Sequence, residues 1–110
     1  CGGNRDRGKR AQMGQVAESL ADRLVVTSDN PRFESVNSII NDVLRGIEDR
    51  QGVTVEPDRA TAIRDAIRQA GPGDAVLIAG KGHETWQEVA GQRIPFSDEA
   101  TVQAVLEAAA

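Results

Sequence analysis

Helical and extended hydrophobic periods alternate along this chain, and that alternation narrows its possible folds more than any other feature. Met13, Val16, Ala17, Leu20, Ala21 and Leu24 keep a helical spacing, which predicts a first helix over about residues 9–23. Leu24-Val25-Val26-Thr27 is a short β-branched run that reads as a buried strand, and Ser28-Asp29-Asn30-Pro31 ends it with turn chemistry. Val36, Ile39, Ile40, Val43, Leu44 and Ile47 then form one apolar helical face. Gly52 separates that helix from a short strand over 53–55. Asp58 stands where an N-cap belongs, and Ile63, Ala66, Ile67 and Ala70 carry a third helix to Gly71, placed as its C-terminal cap.

Pro72-Gly73-Asp74 turns the chain into Ala75-Val76-Leu77-Ile78-Ala79. Such a wholly apolar run suits a strand buried on both faces of a parallel sheet. Residues 86–89 and 92–96 read as a hairpin around Ala90-Gly91. Ser97 or Asp98 caps a last helix along Val102, Val105, Leu106 and Ala109. Strands alternating with helices predict an α/β fold with a mainly parallel sheet. The 110 residues suit one domain. Because the chain opens on Cys1-Gly2-Gly3 without a preceding strand, it is expected to be a fragment whose first strand lies upstream.

Composition excludes several function classes. Phe33, Trp86 and Phe96 are the only aromatics, too few to stack the bases of a single strand. Net charge is −4, so the positive track that duplex DNA requires is missing. The basic groups are concentrated in the first ten residues, where Arg5, Arg7, Lys9 and Arg10 face one acid, Asp6. Neither a membrane span nor a signal peptide is indicated, and a single cysteine fits a reducing compartment. Cys1 and His83 alone make a Cys/His zinc site a poor expectation.

Ligands of parallel sheets sit beyond the carboxyl ends of the strands, where the chain places its three oddest polar loops. Gly3-Asn4-Arg5-Asp6-Arg7-Gly8-Lys9-Arg10 approaches the phosphate-binding loop, but Arg10 replaces the Ser or Thr that would hold Mg²⁺. The same stretch suits a solvated strand-to-helix turn, or another anion site in which Arg5 grips a carboxylate or phosphate. In Asp29-Asn30-Pro31-Arg32 the proline stiffens the loop and sets Asn30 and Arg32 at a fixed separation. Two-point reading of a carboxylate and simple helix entry both fit that turn. Gly80-Lys81-Gly82-His83-Glu84 permits close backbone approach, and Glu84 suits a ligand ammonium, while a lone His83 is more often structural. Cations and an anion facing one crevice complement a zwitterion such as an amino acid.

These three segments, Cys1 to Arg10, Asp29 to Arg32 and Ala79 to Glu84, resemble the C-terminal domain of the bacterial Mur ligases, in order and over essentially all 110 residues. Asp29-Asn30-Pro31-Arg32 is most similar to the turn of members that add meso-diaminopimelate; lysine-adding members differ there. The resemblance implies a Rossmann-like domain with helices on both faces of its sheet and a C-terminal hairpin strand. It implies an ATP-dependent, amide-forming ligase of cytoplasmic peptidoglycan-precursor synthesis. ATP would phosphorylate the D-Glu γ-carboxyl of UDP-N-acetylmuramoyl-L-alanyl-D-glutamate, and the amine of diaminopimelate would attack the acyl phosphate. ATP and Mg²⁺ would be held mainly by a central domain outside this stretch, leaving the isolated chain inactive.

Carried over by position, Arg5 would bind a carboxylate of the amino acid, and Asn30 and Arg32 its distal carboxylate, within a turn completed by Asp29 and Pro31. The Gly80 backbone and the Glu84 carboxylate would take the distal ammonium. Asn4 departs from the Asp of many relatives, so a nucleotide contact by that side chain is left unassigned. The competing expectations are a non-catalytic anion- or nucleotide-binding module and the lysine-adding relative.

Overall fold

The structure, a computed structural model, describes residues 1–109. Four helices and four short strands follow in the order α1 (Gly8–Leu20), β1 (Leu24–Val26), α2 (Val36–Leu44), β2 (Val53–Val55), α3 (Arg59–Gln69), β3 (Trp86–Val89), β4 (Gln92–Pro95) and α4 (Asp98–Ala109). β1 and β2 pair in parallel, with Leu24 opposite Val53 and Val26 opposite Val55. β3 and β4 form the expected antiparallel hairpin, Trp86 opposite Pro95. Ala90 and Gly91 carry its turn at positive φ (50° and 79°), the backbone twist that two-residue hairpin loops need.

The helices start where their caps say they should. Ser35 Oγ accepts from the Ser38 amide at 3.4 Å, and the Asp58 carboxylate accepts from the Thr61 amide at 3.1 Å. Ser97 rather than Asp98 caps α4, accepting from the Ala100 amide at 3.2 Å. The core is built from the regular face of α2: Ile40, Val43 and Leu44 bury with Val26 of β1 and with Ile47.

Three expectations fail. Gly71 is not a left-handed cap: α3 ends at an extended Ala70, and Gly73 takes the positive φ of 86° in the following turn. The apolar run over 75–79 forms no strand among the described residues; Leu77 is 90% exposed and Val76 is exposed too. Its composition suits a buried strand, but among the described residues the run pairs with no strand.

The expected core stripe of α1 is also solvent-facing, with Met13, Val16 and Leu20 exposed. Close approach decides the packing of that helix instead. A Cβ on Gly14 would lie 2.2 Å from the Val43 carbonyl oxygen, and one on Gly46 would lie 1.7 Å from that of Ala11. α1 and α2 therefore meet nearly backbone to backbone, through the face of Arg10, Ala11 and Gly14. Gly46→Ala is expected to cost about 1–3 kcal/mol through overpacking, read as a lower urea midpoint with an unchanged slope. An unchanged midpoint would contradict this close approach.

Candidate functional site

The first loop is stitched to the Asp29–Arg32 turn by its backbone. The Gly3 amide donates to the Asn30 carbonyl at 2.6 Å, and Arg32 Nη1 donates back to the Gly3 carbonyl at 2.9 Å. A Cβ on Gly3 would sit 1.7 Å from the Pro31 carbonyl oxygen, so glycine is required there. Asn4, at φ 55°, clips the same junction: its amide donates to Glu34 and its side-chain oxygen accepts from the Phe33 amide.

The side chains of two arginines pass Gly2. A Cβ built on it would be 2.7 Å from Arg32 Nη1 and 3.5 Å from the Arg5 side chain. Arg5 is exposed and joins no ion pair among the described residues. Arg32 is mostly covered, sits at φ 53°, and lies 3.5 Å from Glu88 through Nε. Its main chain is fixed by β3 and its turn: the Arg32 amide donates to the Glu88 carbonyl, and the Ala90 amide donates to the Arg32 carbonyl. The face carrying Nη2 has no protein partner among the described residues.

The third loop closes the other side. Gly80 and Gly82 take φ values of 113° and 57°, which turn Lys81 inward. Lys81 is buried beneath the Asp29–Arg32 turn, its Nζ donating to Asn30 Oδ1 and to the Trp86 carbonyl, both at 2.8 Å. Asn30 Nδ2 donates to Glu84 Oε1 at 3.3 Å. A Cβ on Gly80 would lie 3.5 Å from an Asp29 carboxylate oxygen, so the loop backbone passes close to that acid. Gln87 holds the turn from outside by donating to Ser28 Oγ and the Asp29 carbonyl.

All seven expected site residues, Arg5, Asp29, Asn30, Pro31, Arg32, Gly80 and Glu84, thus belong to one connected cluster of loops. His83 is exposed beside it. The phosphate-loop likeness does not survive. Arg10 is buried beneath the loop, where its two Nη atoms donate to both Glu34 oxygens, to Asp42 and to the Gly2 carbonyl. Asp6 caps the start of α1 by accepting from the Gly8 amide at 2.9 Å.

Sequence reading gave Arg10, Lys81 and Glu88 no role. For Lys81 a signal was present, since a lysine between two glycines has the backbone freedom to turn inward. Arg10 and Glu88 had none, because their partners lie far along the chain. A hollow of about 650 Å³ lies elsewhere, between Ile78 and the α4 residues Val102 and Leu106.

Glu34 is the acid that secures the first loop. Arg10 beside it, helped by the Asn4 amide, holds its carboxyl down to about 2 from an ordinary 4.5. A carboxyl depressed in the folded state stabilises the fold above its unfolded value and loses that contribution as pH falls. Stability should therefore decline from about pH 4.5 toward pH 2, and Glu34→Gln should flatten that part of the profile. An equally steep decline in the variant would refute the assignment.

No three His, Cys, Asp or Glu gather to hold a metal ion among the described residues. Asp29 and Glu84 are engaged by Lys81, and Glu88 lies against Arg32. This donor set does not fit Mg²⁺. No helix among the described residues is long and apolar enough to cross a membrane.

A family model described as "Mur ligase, glutamate ligase domain" matches residues 1–82. The chain is 58% identical over 106 residues to the UDP-N-acetylmuramoyl-L-alanyl-D-glutamate–2,6-diaminopimelate ligase of Acidovorax sp. (strain JS42), covering 96% of this chain and 21% of that protein. It is 55% identical over 98 residues to the ligase of the same name from Coxiella burnetii, covering 89% of this chain and 20% of that protein. A solved structure of a ligase of that name superposes with a TM-score of 0.93 at 45% identity, over 99% of this chain and 23% of that one. The chain spans about a fifth of the length of the curated relatives it matches.

Proposed function

The chain belongs to the Mur ligase family, and from that premise we propose that residues 1–110 form the C-terminal, amino-acid-receiving domain of a longer ligase. Its acceptor would be meso-diaminopimelate. The reaction would be the ATP-dependent joining of that amino acid to UDP-N-acetylmuramoyl-L-alanyl-D-glutamate in cytoplasmic peptidoglycan-precursor synthesis. One observation carries the reading: the Arg32 guanidinium and the stem of Arg5 lie beside Gly2, while Asn30 and Glu84 meet across the adjoining loops. A cationic pair beside a carboxylate complements an amino acid that bears a second carboxylate and a second ammonium.

The chemistry assigned to this chain is binding and orientation. Arg32 offers its open guanidinium edge to the distal carboxylate, as a planar fork matched to two oxygens. Arg5, exposed and in no ion pair among the described residues, takes the other carboxylate. Glu84 and the Gly80 carbonyl accept from the distal ammonium. With both ends held, the remaining amine is the group left to attack an acyl phosphate formed on the nucleotide-linked peptide. ATP and Mg²⁺ would be held by other parts of the ligase, since this chain's carboxylates do not fit the metal. The domain alone should form no amide bond.

The test is acceptor choice in the full-length ligase. Lysine lacks the distal carboxylate and would leave Arg32 covered and unpaired, so discrimination in kcat/KM should reach about 10⁴-fold. Comparable use of lysine would overturn the assignment of acceptor. Tight binding of ATP by the isolated chain would instead support an autonomous nucleotide-binding module.

A further inference from the structure

Lys81 is a fully covered cation that the proposed binding scheme does not use. Its side chain has no exposure, and besides Asn30 Oδ1 and the Trp86 carbonyl its Nζ lies 3.3 Å from Asp29 Oδ1 and 3.7 Å from Glu84 Oε1. Asn30 Oδ1 also accepts from the Glu88 amide at 3.0 Å. Two donors, Lys81 Nζ and the Glu88 amide, therefore face that one oxygen. A flipped Asn30 would set its own NH₂ against both, a donor-to-donor clash that fixes the amide orientation. The NH₂ group is thereby left to point at Glu84.

We propose that Lys81 is a positioning residue of the acceptor site: by holding Asn30 Oδ1 it directs the Asn30 NH₂ toward Glu84 as a donor, and it offsets the charge of Asp29 and Glu84 beside that donor. Lys81 does not touch the acceptor. Without it the Asn30 amide loses its strongest orienting partner. Two carboxylates then stand uncompensated near the place where the acceptor's own carboxylate arrives. The inference rests on the reading of these loops as the acceptor site.

The test is made in the full-length ligase. Lys81→Met is expected to raise the KM for meso-diaminopimelate roughly 10- to 100-fold, with kcat and the KM for ATP nearly unchanged. In an Asn30→Ala background the same change should have a clearly smaller effect, because the part carried by Asn30 is already lost and only the charge offset remains. A merely structural lysine would lower the active fraction and leave KM unmoved. An equal KM effect in both backgrounds, or none in either, would overturn the proposal.

If Lys81→Met does not fold, Asn30→Asp serves instead. That variant keeps both the Lys81 and the Glu88 bonds but places an oxygen where the NH₂ was. It should raise the KM about 10-fold or more with kcat retained, and an unchanged KM would overturn the proposal. Arg32→Ala separates the two levels of failure. If it raises the acceptor KM while the Lys81 and Asn30 variants do not, only the positioning role falls; if it too leaves KM unchanged, the acceptor-site reading falls.

Discussion

Replacing Arg32 with Ala in the full-length ligase should raise the KM for meso-diaminopimelate about 100-fold or more, while the KM for ATP stays nearly constant. Hydrogen bonds to charged groups contribute about 1.5–3 kcal/mol each, and a forked arginine makes two to one carboxylate. The fold should tolerate the change, because the backbone of residue 32 is held independently by the Glu88 and Ala90 main chain. Only the Nη1 bond to the Gly3 carbonyl and the contact with Glu88 disappear with the side chain. Discrimination against lysine should collapse in parallel, since the unpaired cation that rejects lysine is gone. Steady-state kinetics with both amino acids measures each effect. A variant that still prefers meso-diaminopimelate by the wild-type ratio would remove Arg32 from the site.

Arg59→Met should cost about 3–5 kcal/mol, because it strands a buried charge. Arg59 donates to both oxygens of Asp98 at 2.7 Å, and both residues are buried. It also donates to the carbonyls of Ser28 and Ala79, at 2.9 and 3.1 Å. Those residues immediately precede the Asp29 and Gly80 loops, so one guanidinium sets the spacing of two sides of the candidate site. Against a typical total of about 5–15 kcal/mol, the loss is large. The double variant Arg59→Met, Asp98→Leu should recover part of it, since the stranded carboxylate is then gone. Urea unfolding of the two variants decides the matter. A single-variant cost below about 1 kcal/mol would contradict a structural role for the pair.

Local chemistry was legible in the sequence; long-range partners were not. The α2 face, the Asp58 cap and the Ala90-Gly91 turn depend on neighbours within a few residues, and all three stand as expected. The three loops of the candidate site were legible for the same reason, as short segments rich in glycine, proline and charge. Failures occurred where a distant element decides. The stripe of Met13, Val16 and Leu20 had the right period, but Gly14 and Gly46 let α1 and α2 approach on another face. The run over 75–79 had a strand's composition, but pairing needs a neighbouring edge, which composition does not report. Arg10 with Asp42, Arg59 with Asp98, and Lys81 with Asn30 span 32, 39 and 51 residues, so no periodicity exposes them.

Hydrogen–deuterium exchange of the full-length ligase, with and without meso-diaminopimelate, tests most directly whether these loops receive the amino acid. The account predicts slower exchange in three peptides, covering residues 1–10, 27–34 and 79–88, with a much weaker response to lysine. Unchanged exchange in all three, with protection confined to the hollow beside α4 or to other parts of the ligase, would contradict it.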